Sequence, residues 1–130
     1  MSKRVLVASI AALLLVASAG LHTASAHANL VKCSIKGGQV FHAGHSPSTI
    51  QAFFAEDLVP SQSWISLYFN QEDHGLVNET TKSKVNFQNP KEITLRVPKL
   101  DPGLYDLIWY THSADDGHWA AGNVFFRVTK

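Results

Sequence analysis

Short runs in which apolar and polar residues alternate recur along this chain, and they constrain its fold more than any other feature. Such alternation is typical of strands that bury one face. Clusters of Gly, Pro, Asn and Asp separate the runs and favour turns, and no long helical period appears. The alternating apolar residues are Ile50, Ala52 and Phe54, then Ile65, Leu67 and Phe69, then Ile93, Leu95 and Val97, and finally Val124, Phe126 and Val128.

One further run, from Leu104 to Tyr110, carries large apolar residues on both faces, with Asp106 as its one charged interruption. Two apolar faces predict a central strand that is covered on both sides. The segments 57–62 and 71–84 lack such patterns and are predicted to be irregular. About seven short strands in about a hundred residues predict an all-β fold, a Greek-key β-sandwich or a small barrel.

The first 26 residues have the pattern of a cleavable export signal. Lys3 and Arg4 supply the positive charge, the run from Val5 to Leu15 is almost wholly apolar, and Ala24-Ser25-Ala26 is a small-residue cleavage site. Cleavage after Ala26 would leave one domain, residues 27–130, with a histidine at its new N-terminus. We therefore expect a soluble, exported protein.

The charge and the cysteine content of the mature chain exclude several classes. The precursor has 11 Lys and Arg against 10 Asp and Glu, and the loss of Lys3 and Arg4 leaves 9 against 10, a net charge of −1. A near-neutral chain without a basic cluster offers no footprint for nucleic acid and no polybasic patch for an anionic membrane. The single cysteine, Cys33, excludes an intramolecular disulfide, so core packing must hold the fold.

Two separate stretches of the chain point to a metal. After cleavage, His27 would offer both its amine and its imidazole to one ion, and two nitrogen donors suit Cu(II). Asp116 and His118, with Gly117 between them, lie between the last two strong strands. In extended backbone their side chains would point to the same side. An Asp-x-His triplet alone is more often a turn with a surface histidine, so the metal hypothesis depends on the triplet and His27 together.

With these residues the chain resembles the CopC family of periplasmic copper-resistance proteins. The resemblance covers most of the mature chain, and its C-terminal block is the most specific part. It rests on the residues His27 to Val31, Pro47, Phe54-Ala55-Glu56, Leu100 to Tyr105, Trp109, Ser113 to His118, Gly122 and Phe125 to Val128.

The resemblance implies a cupredoxin-like Greek-key β-barrel that binds one Cu(II) and is not an enzyme. Carried over by position, the ligands are the amine and imidazole of His27, the Asp116 carboxylate and the His118 imidazole. Glu56 is then a weak axial ligand or an acceptor that orients His27. Asp115 is an additional carboxylate, but the Asp-Gly-His spacing favours Asp116. The implied role is copper sequestration, trafficking or resistance by a periplasmic monomer, with an inner-membrane copper transporter or a copper enzyme as the receiving partner.

Other copper chemistries fit the sequence less well. Some family members hold Cu(I) in a methionine-rich loop, but the only methionine here is Met1, which leaves with the signal. A blue-copper site needs a thiolate, and Cys33 lies in the wrong part of the chain for one. The alternative function is a copper monooxygenase that uses a terminal histidine. In such an enzyme, however, Asp116 would fill a position that must stay open for oxygen.

The remaining histidines are predicted to be ordinary surface residues. His42 and His45 flank a predicted loop and could recruit only a weak, adventitious metal. His74 lies in the loop 71–75. His112 precedes the triplet and could form a hydrogen bond near the metal site, but one position from Ser113 it is expected to face away. Trp119 follows His118 directly and could shield the metal.

Overall fold

The computed structural model of the chain describes residues 28–71, 75–80 and 83–130. The predicted export signal, His27 and His74 lie outside these residues. No helix within the described ranges is long and apolar enough to span a bilayer.

Nine strands form two sheets in the described part of the chain. One sheet has the order β1-β3-β7-β6 and the other has the order β2-β9-β8-β4-β5. Paired strands are antiparallel, except that β2 runs parallel to β9. The strands are β1 (Leu30–Cys33), β2 (Gln39–His42), β3 (Thr49–Phe54), β4 (Trp64–Gln71), β5 (Gly75–Thr80), β6 (Ser83–Val85), β7 (Glu92–Arg96), β8 (Gly103–His112) and β9 (Trp119–Thr129), with a 3-10 turn at Pro60–Gln62.

The alternating residues of both sheets meet in one core, and the predicted all-β sandwich is confirmed. From the first sheet, Ile50, Ala52, Ile93 and Leu95 are buried, and from the second sheet Ile65, Leu67, Leu107 and Phe126 are buried. The Phe126 ring stacks on the Tyr105 ring, with centroids 5.4 Å apart and planes at 14°. The chain passes repeatedly between the sheets, so each layer depends on residues far apart in sequence.

The position of β8 agrees with the sequence, although its outer face is less covered than predicted. β8 lies between β4 and β9 and is therefore central. Asp106 on the outer face is buried and accepts a hydrogen bond from Asn123 Nδ2 at 3.1 Å. Tyr110 on the same face is 46% exposed. Only the inner face of β8 is thus fully covered by the opposite sheet.

The prediction that the segment 71–84 is irregular is wrong, since it contains β5 and the first two residues of β6. Both are edge strands, β5 pairing with β4 and β6 with β7. An edge strand tolerates polar residues because one of its sides meets solvent, and this weakens the alternation that reveals central strands. These two strands raise the number from about seven to nine. By contrast, 57–62 contains no strand, as predicted.

Two ends of the sandwich can be distinguished from the strand register. At one end β8 and β9 meet at His112 and Trp119, and a bridge joins Leu58 to Ser113. At the opposite end, here called the far end, His42 pairs with Thr129. Asp116 and His118 therefore lie at the opposite end of the described chain from the His42 loop.

Candidate metal centre

Asp116 and His118 lie in the loop 113–118, which joins β8 to β9. The loop is closed by two backbone hydrogen bonds, from Ser113 N to His118 O at 2.9 Å and from Gly117 N to Ser113 O at 3.1 Å. Within it, Asp116 Oδ2 lies 2.9 Å from His118 Nδ1. The structure therefore brings the predicted carboxylate and imidazole together.

The backbone that joins Asp116 to His118 is not extended, as the sequence analysis expected, but forms a turn. Gly117 has φ +74°, in the left-handed region that glycine adopts without a steric cost. Asp116 Oδ1 accepts a hydrogen bond from the backbone N–H of His118 at 2.9 Å, which is the pattern of an Asx turn. The convergence thus comes from a side chain folding back onto its own turn, not from strand periodicity.

The Asp116 carboxylate is ionised over the whole neutral and mildly acidic range. The hydrogen bond from the His118 backbone N–H, followed by the one from the His118 side chain, lowers the pKa of Asp116 to about 2. The side chains of His118 and Asp116 are 63% and 23% exposed. An incoming cation would therefore meet a negative carboxylate and an imidazole at the surface.

Ser113 organises the loop, and sequence reasoning did not single it out as a site residue. Its hydroxyl donates to Glu56 Oε2 and accepts from the backbone N–H groups of Asp115 at 3.1 Å and Asp116 at 3.2 Å. Ser113 and Glu56 are 1% and 8% exposed. A serine followed by two or three turn residues is a known local signal for this kind of bonding. Among the described residues, then, Glu56 acts on the loop through Ser113.

Asp115 and Asp116 are distinguished by their partners. Asp115 Oδ2 accepts from the backbone N–H of Asp57 at 3.2 Å, and Ala114 N donates to Asp57 O at 2.8 Å. Asp115 therefore ties the loop 113–118 to the segment that follows β3. Of the two, Asp116 is the one whose side chain is hydrogen-bonded to His118, and the choice of Asp116 as the metal ligand stays a prediction.

The first described residues, Ala28 and Asn29, run between β8 and the segment that follows β3. The carbonyl of Ala28 accepts from Thr111 Oγ1 at 2.7 Å, and the carbonyl of Asn29 accepts from the backbone N–H of Ala55 at 2.9 Å. Ala28 is fully buried. Ala28 is thus held beside the C-terminal end of β8, and Asn29 beside the segment that follows β3.

No three His, Cys, Asp or Glu side chains form a metal-binding group within residues 28–71, 75–80 and 83–130. The described chain thus supplies the pair Asp116 and His118, and the predicted third residue, His27, lies outside it. A carboxylate and an imidazole are both ligands that Cu(II) accepts.

Of the other candidates of the sequence analysis, Cys33 and His42 lie apart from the pair, whereas His112 and Trp119 lie beside its loop. Cys33 packs against the core, and burial raises the pKa of its thiol, which disfavours the thiolate a metal would need. His42 Nδ1 lies 3.1 Å from Thr129 Oγ1 at the far end. The expectation that His112 faces away is wrong, because its ring contacts the loop 113–118 through the carbonyl of Gly117. Trp119 is 56% exposed and packs on His112.

Fold and site together define a small two-sheet β-sandwich with an open carboxylate–imidazole pair in a loop at one end. The model of the CopC domain matches residues 30–129, and the chain belongs to this family. A comparison with curated protein sequences gives no match.

Solved structures of the same family are similar to this chain. CopC from Methylosinus trichosporium OB3b is 28% identical, with a TM-score of 0.67 and coverage of 78% of this chain and 93% of its own. PcoC from Escherichia coli, described as a methionine-rich copper resistance protein, is 25% identical, with a TM-score of 0.65 and coverage of 80% of this chain and 100% of its own. The similarity thus extends over nearly the full length of both relatives.

Proposed function

We propose that this chain is a periplasmic Cu(II)-binding protein in which the mature N-terminus and the loop 113–118 hold one ion. Export and cleavage after Ala26 would place a free amine on His27. Its amine and imidazole, the Asp116 carboxylate and the His118 imidazole would then be the ligands. The proposal is supported by membership of the CopC family and by the copper resistance named for PcoC.

The observation that carries this proposal is the buried hydrogen bond from Thr111 Oγ1 to the Ala28 carbonyl. Thr111 lies on β8, two residues before the loop with the carboxylate–imidazole pair. It holds the chain at the residue that follows His27, so a terminus at His27 would start beside the other donors. Glu56, through Ser113, holds the loop itself. Bound there, copper would be cargo carried by the protein.

The donor set favours Cu(II) over Cu(I). Nitrogen and carboxylate donors suit Cu(II), whereas Cu(I) prefers thiolate and thioether sulfur. The sequence contains one methionine, Met1, which belongs to the export signal, in contrast to the methionine-rich PcoC. Thioether ligands would thus be missing from the mature protein.

We place the protein among binding proteins that sequester copper or deliver it to a membrane transporter or a copper enzyme. Asp116 would occupy a position in the copper coordination that an oxygen-activating enzyme keeps open. Reductant-driven oxidation of chitin or cellulose by the copper-loaded protein would overturn this assignment in favour of a monooxygenase.

A titration of the mature protein with Cu(II) tests the proposed function. We expect one ion per chain, a pale blue protein without an intense thiolate band, and an electron paramagnetic resonance spectrum with nitrogen couplings. His118→Ala should abolish tight binding, while His42→Ala at the far end should leave it unchanged. Tight binding that survives His118→Ala would contradict the proposed ligands.

The affinity for Cu(II) is expected to fall as the pH falls. Protons compete with copper for each imidazole, whose usual pKa is about 6.5. Between pH 7.5 and 5.5 this costs roughly tenfold for each imidazole ligand, or about a hundredfold for two. The terminal amine, whose usual pKa is about 7.7–8.0, would add a further loss of roughly sixtyfold. Asp116 contributes nothing in this range, because its pKa lies at about 2. Calorimetry at the two pH values measures the effect, and an affinity indifferent to pH would exclude the imidazoles as ligands.

Thr111→Val is expected to loosen the N-terminal segment. Valine keeps the shape of threonine but cannot donate to the Ala28 carbonyl, which would be buried without that donor. An unsatisfied buried acceptor costs about 1–3 kcal/mol. We expect a loss of stability of this size in chemical denaturation, together with weaker Cu(II) binding.

The matched control is Thr129→Val, which removes the hydroxyl that donates to the Phe41 carbonyl at 3.3 Å at the far end. It should leave copper binding unchanged. Equal copper affinity in the Thr111→Val variant and the wild type would show that the terminus does not depend on this anchor.

A further inference from the structure

His112 is the last residue of β8, and both of its backbone groups are held from outside the β8–β9 ladder. Its backbone N–H donates to Ser63 Oγ at 3.0 Å, and its carbonyl accepts from the backbone N–H of Val59 at 2.9 Å. Both partners belong to the segment around the 3-10 turn. The backbone of His112, from which its side chain extends, is therefore held in place beside the loop 113–118.

The imidazole of His112 is oriented by two contacts across the hairpin. It stacks on the Trp119 indole, with ring centroids 4.4 Å apart and planes at 5°. Its Nε2 lies 3.1 Å from the carbonyl oxygen of Gly117. A carbonyl oxygen only accepts, so Nε2 must carry the proton and donate. Nδ1 is buried and has no hydrogen-bond partner among the described residues. The ring orientation is thus set by Trp119 and Gly117.

The carbonyl that His112 binds belongs to the peptide group that joins Gly117 to His118. The N–H of that same peptide group donates to Asp116 Oδ1 at 2.9 Å. One peptide plane is therefore held at both ends, by the imidazole of His112 on its oxygen and by the carboxylate of Asp116 on its nitrogen. The orientation of this plane determines where the His118 side chain leaves the backbone.

We propose that His112 is a positioning residue for the metal site, which fixes the peptide plane before His118 and so presents the His118 imidazole beside Asp116. Once Asp116 turns its oxygens toward a cation, the hydrogen bond from His112 remains as the restraint on this plane. His112 is not itself a ligand, because its Nε2 is bound to the Gly117 carbonyl and its Nδ1 is buried. The expected effect of His112 on copper binding rests on the proposed function, whereas its expected effect on the loop 113–118 does not.

The first test uses metal-free mature protein. In His112→Phe an aromatic ring can still stack on Trp119, but the donor to Gly117 is lost. We expect the amide hydrogen of His118 to exchange faster with solvent, because the peptide plane is then held at one end only. His112→Gln, which keeps a side-chain donor, should restore part of the protection. His42→Phe, which removes a histidine at the far end, should leave it unchanged. Unchanged exchange in His112→Phe would overturn the proposal.

The second test measures Cu(II) affinity by competition with a chelator, together with the electron paramagnetic resonance spectrum. Loss of a group that orients a ligand typically weakens metal binding about 10–100-fold. We expect a loss in this range and an altered spectrum for His112→Phe, at nearly wild-type thermal stability. If wild type fails to bind copper, the proposed function fails and the exchange measurement still decides the role of His112. If wild type binds and His112→Phe binds equally with the same spectrum, the positioning role is excluded.

Discussion

One extra residue ahead of His27 is expected to weaken Cu(II) binding by the mature protein by more than about a hundredfold. The extension converts the terminal amine of His27 into an amide, whose nitrogen offers a metal no free lone pair until its proton is displaced. It thereby removes the chelate that the His27 amine and imidazole would form together. Loss of a directly bound group should exceed the 10–100-fold cost of losing a group that only orients a ligand. The anchored Ala28 carbonyl leaves little freedom to place the new terminus elsewhere.

The matched control is an extension of the same size after Lys130. β9 ends at Thr129 at the far end, so this addition should not reach the metal site. Mass spectrometry of the exported protein must first show a terminus at His27. Processing at another bond, or unchanged copper uptake after the N-terminal extension, would refute the proposed site.

Phe126→Ala is expected to destabilise the fold by about 3–5 kcal/mol, the usual cost of truncating a buried phenylalanine. Phe126 is 1% exposed and lies on β9 in the core between the sheets. Its ring stacks on Tyr105 and meets the Phe41 ring edge-on, with centroids 5.8 Å apart and planes at 86°. Truncation would leave a cavity among rings that cannot easily collapse. For a domain with a total stability of about 5–15 kcal/mol, this loss removes between about a fifth of the stability and nearly all of it.

Phe125→Ala provides a control of the same residue type at the neighbouring position. Successive residues of a strand point to opposite faces, and Phe125 is 42% exposed. We expect its truncation to cost less than about 1 kcal/mol. Urea denaturation of both variants compares them directly. Equal losses would show that the core does not lie on the face of β9 that the alternation predicts.

The central strands could be predicted from the sequence because their side chains alone decide which face is buried. Each of these strands carries apolar residues with a period of two. One residue from each, Ile50, Leu67, Leu95 and Phe126, is buried in the core. The edge strands β5 and β6 escaped prediction for the opposite reason. Their pairing depends on β4 and β7, not on a strong apolar face of their own.

In the candidate metal site, too, the residues could be predicted from the sequence, whereas the backbone conformation could not. Asp116 and His118 could be selected from their spacing, and the structure brings them together, but through an Asx turn with Gly117 in the left-handed region. The spacing alone had suggested extended backbone there. The chemistry of the pair was thus predictable, and the backbone that creates it was not.

By itself, the sequence determined which apolar residues of the alternating runs form the core, that a single cysteine leaves no disulfide pair, and which side chains could be ligands of a cation. Only the tertiary structure decided that Thr111 holds Ala28, that Ser113 binds Glu56, and that His112 stacks on Trp119. The physical reason is that periodicity is local, whereas the first two of these contacts join segments far apart in the chain. The third joins two strands across a hairpin whose loop conformation had been misjudged. Such contacts form only after the two sheets have packed and the hairpin has closed, so no short stretch of sequence encodes them.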